Sequence, residues 1–327
     1  MESTSEVRWG IVGAGNVCEH KGGPPLYQLE GCRLVGVTRR DPAKGQDYAR
    51  RHGPSRYFES LDALLAEPAL DAVYVATPPT CHAEHTAAAA RAGRHVLCEK
   101  PMAMNAAECR AMVDVCAESR VVLAVAYYRR CYPSILRARE LVTQGAIGPL
   151  ERVRLNDEFP ASHRLDLVHF FCGDILSVRA RVERLAPGSH AEEGPVLYAE
   201  TTSGAEAVTN IGWHETGAPE TVELEGRDGR VVVDDLKGGS LSWTHAGEEH
   251  RETFAPLPAT HWGIVANFRG HLLHGAPLAC DGEEGRKSSV VLDVVSTLDA
   301  DDRPVAVDYD NPPDPNQARG SMFGLLA

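Results

Sequence analysis

Val7-Arg8-Trp9-Gly10-Ile11-Val12-Gly13-Ala14-Gly15-Asn16-Val17-Cys18 is the stretch on which the fold turns. A short apolar run ends in two glycines spaced by one residue, and a helix-compatible segment follows at once. Glycines at 13 and 15 allow a tight turn and close backbone approach. The amides of Asn16 and Val17, opening the helix, can then hold a pyrophosphate, whose charge the positive helix end favours. Cys18 stands where the third position of this fingerprint has Gly or Ala. A Gly-x-Gly alone is a common turn; a strand before it and a helix after it point to dinucleotide binding.

Outward from this turn, short apolar runs alternate with helical patterns. Strands are expected at 7–13, 33–38, 71–76, 95–98 and 121–126, with the 71–76 run counted as fourth of six. Helices are expected at 42–52, 60–66, 83–92 and 106–118. Strands joined by crossover helices predict a doubly wound parallel sheet, an α/β Rossmann domain over residues 1–126. Beyond Tyr127 the texture changes. A basic helix at 133–144 precedes alternating stretches at 152–156, 177–185, 206–213, 221–224, 230–234 and 240–243, with a hairpin turn at Asp228-Gly229. Alternation of that kind predicts a mostly antiparallel sheet in an α+β domain over residues 127–327. Helices at 261–274 and 283–298 are expected to cover one of its faces.

The whole chain has 327 residues, a net charge of −13, 43% hydrophobic and 24% charged residues, enough for two cores without staples. An acidic balance without a Lys/Arg block repels phosphodiester backbones, so nucleic acid is not expected as a partner. The apolar runs are too short for a membrane span, and the polar start lacks a signal-peptide pattern, so a cytoplasmic protein is expected. Nine scattered cysteines read as reduced, buried side chains. No HExxH, P-loop or GxSxG pattern occurs. His163, Asp166 and His169 stand three apart, which spreads them over about 120 degrees of a helix and argues against a metal site.

The second strand ends Thr38-Arg39-Arg40, without the carboxylate that holds the ribose 2′-hydroxyl of NAD. A hydroxyl and guanidinium groups suit a 2′-phosphate, so NADP is the expected cofactor, with NAD as the alternative. The other reading of Arg39 and Arg40 is a solvated turn before the helix cap Asp41-Pro42. The fourth strand runs into Thr77-Pro78-Pro79-Thr80-Cys81-His82, and the fifth into Glu99-Lys100-Pro101. Ligands of open α/β sheets bind outside the carboxyl ends of strands. Thr77, Pro78, His82, Glu99 and Lys100 therefore join Gly13, Gly15, Asn16, Val17, Thr38, Arg39 and Arg40 as cofactor-site candidates.

In these motifs the sequence resembles the Gfo/Idh/MocA oxidoreductases, the glucose-fructose oxidoreductase and inositol dehydrogenase family, with their GxGxx(G/A), TPxxxH and EKP patterns. The resemblance continues through Tyr127-Tyr128-Arg129-Arg130, Gly145-Ala146-Ile147-Gly148 and His163-Arg164-Leu165-Asp166, an HxxD helix. It implies an NAD(P)-dependent enzyme moving hydride between nicotinamide and a small polar alcohol or carbonyl, such as a sugar or cyclitol. It further implies Lys100 and His163 as proton-handling residues, and a homodimer or homotetramer built through the C-terminal sheet. Tyr127 or Tyr128, Arg130 and Asp166 are substrate-contact candidates, an ordinary interdomain salt bridge being the other reading for Arg130.

One segment departs from the pattern. Relatives that oxidise sugars or inositol have a longer, glycine-rich stretch before HxxD and an aspartate four residues before the histidine; here that position is Phe159 and the stretch is short. Three readings follow. Asp157 or Glu158 substitutes, Lys100 and His163 suffice, or the protein binds cofactor without turnover as a sensor or assembly partner.

Overall fold

The computed structural model describes residues 6–53, 56–156, 161–184, 193–210, 220–236, 239–299 and 301–315. Asp157, Glu158 and Phe159 lie outside them, as do residues 211–213 of the strand expected at 206–213. The chain divides into two compact units, residues 1–131 with 257–286 and residues 132–256 with 287–327.

In the first unit the elements run β1 (Val7–Val12), α1 (Asn16–His20), α2 (Pro25–Gln28), β2 (Cys32–Thr38), α3 (Pro42–Arg51), β3 (Arg56–Phe58), α4 (Leu61–Leu65), β4 (Ala72–Val75), α5 (His82–Arg91), β5 (His95–Cys98), α6 (Ala106–Glu118) and β6 (Leu123–Val125). The strands are all parallel in the order β3-β2-β1-β4-β5-β6, the doubly wound arrangement expected from the sequence. β4 and β6 are buried at every position, as strands covered on both faces must be.

Local chemistry sets the helix starts. The Asp41 side chain accepts from Lys44 N at 3.1 Å, with Pro42 at the first helical position of α3. Ser60 caps α4 through Ala63 N at 3.1 Å. Asn105 caps α6 through Glu108 N at 2.8 Å, and Glu108 returns a carboxylate to Met104 N at 3.2 Å.

The remaining elements are α7 (Pro133–Thr143), β7 (Leu150–Asn156), α8 (Ala161–Cys172), β8 (Ile175–Arg184), β9 (Glu193–Thr201), β10 (Glu206–Asn210), β11 (Thr221–Gly226), β12 (Gly229–Asp235), β13 (Ser240–His245), β14 (Glu248–Thr253), α9 (Trp262–His274), α10 (Gly282–Val295) and β15 (Val305–Ala306). The second sheet has the order β14-β13-β12-β11-β7-β10-β9-β8-β15 and is antiparallel except for the β7–β10 pair. α7 and α8 pack on one face, over Val153, Leu155, Val178, Leu197, Val222, Leu224, Val231 and Val233.

One helix differs from expectation. α9 does not cover the antiparallel sheet; it belongs to the first unit, where the Phe268 ring lies 5.3 Å from that of Trp9 on β1. Its apolar stripe Ile264, Val265 and Phe268 is what the period predicts. Periodicity reveals that a helix has a buried face, not which sheet it meets. Among the described residues no helix is long and apolar enough to cross a membrane.

Candidate active site

The site begins at the glycine-rich turn. Gly13 has φ +85, and a Cβ there would lie 2.5 Å from Thr77 Cγ2, so only glycine lets the turn rest against the end of β4. Thr38 O accepts from Gly13 N at 3.2 Å and Ala14 N at 2.9 Å. Arg39 Nη1 donates to Ala14 O at 2.8 Å, bracing the turn from the end of β2, while Arg40 is exposed. A Cβ on Gly15 would meet nothing nearer than Gly13 O at 3.7 Å. The first-turn amides of α1, at Asn16 and Val17, have no intrahelical acceptor. A cradle that tolerates close backbone approach and ends in unpaired first-turn amides fits the pyrophosphate of a dinucleotide. Cys18 is buried, its Sγ 3.8 Å from Gly13 O, and burial pushes its thiol up.

Beside the turn lies a cavity of about 230 Å³ walled by Val17, Lys21, Ala76, Thr77, Pro79, His82, Glu99, Lys100, Tyr128 and His261. Drug-sized ligands fill roughly 300 Å³ or more, so this volume suits a ring-sized part of a larger molecule. His82 ties two of its walls together: Nε2 is 2.8 Å from Thr77 O and Nδ1 is 3.0 Å from Pro101 O. The Lys100–Pro101 peptide is cis. Thr77 Oγ1 is 3.0 Å from His85 Nδ1, and burial lowers the His85 pKa.

Glu99 is sunk beneath this cavity. Its Oε1 accepts from the Tyr74 hydroxyl at 2.5 Å and from His261 Nε2 at 2.6 Å, and its Oε2 accepts from Lys100 N at 3.0 Å. Burial alone would raise its pKa; His261, the Tyr74 hydroxyl and the Lys100 ammonium outweigh that and hold it at about 2. Burial and its carboxylate neighbour push Tyr74 far up. Lys100 is half-buried, and desolvation lowers its pKa against the opposing pull of Glu99, with Lys21 and Arg129 adding to the lowering. An ammonium whose proton is loosened, next to a fixed carboxylate, is suited to passing a proton and to steadying a developing alkoxide.

Of the residues singled out in the sequence, Val17, Thr77, His82, Glu99, Lys100 and Tyr128 wall the cavity, and Gly13, Gly15, Asn16, Thr38 and Arg39 build the adjoining turn. Pro78 is exposed at the end of β4. Tyr127 is buried in the apolar core of the parallel sheet. Arg130 is buried and donates to Ala279 O at 3.0 Å and to Glu284 Oε2 at 3.3 Å. His163 and Asp166 are buried on α8 in the second unit. Sequence reasoning missed Lys21, Tyr74 and His261. Tyr74 reads as an ordinary apolar strand residue, and His261 lies 162 positions from its partner Glu99, so no local spacing marks either.

Residues 7–127 match the oxidoreductase family with an NAD-binding Rossmann fold, GFO_IDH_MocA. The chain is 40% identical to Oxidoreductase P35 of Formosa agariphila over 144 residues, which are 44% of this chain and 45% of that protein, so it spans about half of that relative. With D-xylose 1-dehydrogenase (NADP(+)) 2 of Haloferax volcanii it shares 36% identity over 306 residues, 84% of this chain and 90% of that protein. A crystal structure of the aldose-aldose oxidoreductase of Caulobacter crescentus, complexed with glycerol, superposes with a TM-score of 0.80 at 24% identity, over 92% of this chain and 100% of that one. The matched family model, a superposition over 92% of the chain and a 36% identical relative aligned along nine-tenths of its length lead to one conclusion: the chain belongs to the Gfo/Idh/MocA family of NAD(P)-dependent oxidoreductases, built on an NAD-binding Rossmann fold.

Proposed function

We propose that this protein is a dehydrogenase of the sugar and cyclitol type, exchanging hydride between a nicotinamide and the hydroxyl- or carbonyl-bearing carbon of a small sugar or polyol, with NADP preferred. The observation that carries this reading is Lys100, half-buried with a lowered pKa on the wall of a cavity that adjoins the glycine-rich turn. When bound, the nicotinamide supplies the hydride acceptor or donor. The backbone of Gly13, Gly15, Asn16 and Val17 holds the pyrophosphate, and Thr77 and His82 shape the cavity floor. Lys100 steadies the developing alkoxide at the substrate oxygen and relays protons there, with His163 as the second proton-handling group that the family pattern implies.

Two observations support NADP. The tip of β2 offers Thr38, Arg39 and Arg40 and no carboxylate, and the relative from Haloferax volcanii is named for NADP(+). Assembly as a homodimer or homotetramer through the second sheet belongs to the same proposal, and light scattering of the purified chain tests it.

The deciding experiment follows the nicotinamide absorbance with NADP+ or NAD+ and a panel containing D-xylose, myo-inositol and glycerol, and with NADPH and the matching carbonyl compounds. Turnover with at least one member, faster with the phosphorylated cofactor, is the expected result. Tight NADPH binding without any turnover overturns the enzyme reading and leaves a sensor or assembly role.

A further inference from the structure

His261 enters the first unit from far along the chain, and its backbone N–H donates to Lys21 O at 3.3 Å. Its ring is 1% exposed, 4.5 Å from the Tyr128 ring and 6.2 Å, edge-on, from that of Tyr74. The contact of Nε2 with Glu99 Oε1 at 2.6 Å fixes a proton on Nε2, because an ionised carboxylate only accepts. Nδ1 is buried as well and has no hydrogen-bond partner among the described residues. A buried polar nitrogen is normally completed by a protein group, an ordered water, an ion or a ligand, and this one belongs to a residue that lines the cavity. In the neutral ring with Nε2 protonated, Nδ1 presents a lone pair, and its complement is a donor such as a hydroxyl. A carboxylate that orients one imidazole nitrogen and leaves the other bare is the arrangement of a general base.

We propose that His261, oriented by Glu99, is a further acid–base residue of this cavity, its Nδ1 taking the proton of a ligand hydroxyl. The step rests on the dehydrogenase reading above. The O–H bond of the alcohol breaks and its proton forms a bond to Nδ1. The oxygen keeps the electron pair, which becomes the second C=O bond as the carbon gives up its hydride to the oxidised nicotinamide. The titratable and charged groups around the ring are Glu99 and Lys100 at the end of β5, Tyr74 on β4, Tyr128 beyond β6, and Lys21 and His82 along the cavity wall. Tyr74 and Lys100 N complete the acceptor sites of Glu99, so the carboxylate has a fixed orientation from which to hold the imidazole.

The test observes the ring nitrogens directly. The full chain, labelled with 15N-histidine and assigned with His261→Asn, is examined alone and with NADPH plus myo-inositol or glycerol, pairs that cannot react because both members are reduced. The free chain is expected to show His261 with Nε2 protonated and Nδ1 bare, and the Nδ1 resonance is expected to move with at least one polyol. A resonance that none of them moves, or a ring protonated on Nδ1 alone, overturns the proposal whether or not the protein turns any substrate over. Failure of the dehydrogenase reading is seen separately, in the absorbance assay. Where turnover is found, His261→Asn should lower kcat on the order of 100-fold and leave the cofactor KM within about twofold. An unchanged kcat in the folded variant also overturns the proposal.

Discussion

Glu99, past the end of β5, and Glu225, in the middle of the second sheet, are carboxylates facing cations in two very different settings. Glu99 is buried and takes hydrogen bonds from Tyr74, His261 and its own neighbour's backbone at 2.5 to 3.0 Å. Glu225 is 42% exposed and stands 3.9 Å from both Arg152 and Arg154. The difference follows from the sheets. A parallel sheet is covered on both faces, so a charge at its tip must be bound by neighbours or directed at a ligand. An antiparallel sheet can leave one face to water, and here that face carries a lattice of pairs: Arg152 with Glu206, Arg179 with Glu206 and Asp302, and Arg179 over the Tyr198 ring. Charge at the tip of the first sheet is held in a fixed geometry by buried partners, and charge on the second stands in exposed pairs that contribute little to stability.

The largest expected effect tests the functional side. Lys100→Ala should lower kcat/KM by about 10² to 10⁴, the range for removing one acid–base group, while NADPH binding measured by fluorescence quenching stays within about threefold. An unchanged rate would take Lys100 out of the chemistry.

Glu99 gives the next effect, through pH. Its folded-state pKa, about 2, lies below the ordinary 4.5, so the stability it contributes is present at neutral pH and is lost as pH falls from about 4.5 towards 2. Acid titration of the thermal midpoint should show that loss, and Glu99→Gln should flatten it while destabilising the protein at pH 7 by about 1–3 kcal/mol. A variant with the same acid limb as wild type would mean that other carboxylates set it.

A smaller effect separates the two arginines of the β2 tip. Arg40 is exposed, so Arg40→Ala should weaken NADPH about tenfold and leave NADH unchanged, as for one charge-assisted phosphate contact. Arg39 also braces the Ala14 carbonyl, so Arg39→Ala should weaken both cofactors, NADPH more strongly. Equal losses for the two cofactors in both variants would reject a 2′-phosphate contact.

The same contrast governs how much was legible in the sequence. At the tips of the parallel sheet, residues that wall the cavity follow directly on apolar strands, so Thr77, His82, Glu99 and Lys100 are found by reading past each strand end. Tyr74 and His261 are not, because one sits inside a strand and the other at the start of an apolar helix, and burial there looks like packing. The second sheet was legible where one face alternates, as in β11 and β12. It was missed in β14, Glu248–Thr253, a polar edge strand with no apolar period to detect, and in β9, where Gly194-Pro195 reads as a strand breaker. The place of α9 beside β1 was unreadable for want of any sequence label on its partner.

The smallest expected effect is the sharpest test of the contrast itself. Glu225→Gln removes a carboxylate that two arginines approach only at 3.9 Å, all three side chains being more than two-fifths exposed. Screened pairs of this kind contribute about 0–1 kcal/mol, so the unfolding free energy should fall by less than about 1 kcal/mol and the rate should not change at all. A loss of several kcal/mol would contradict a solvated face. Removing one partner of a charge pair is that costly only when its surroundings are dry. The simplest source of dryness here is a second copy of the chain laid on the open face. In that case the loss should depend on protein concentration, and light scattering of the variant should report a smaller particle than wild type.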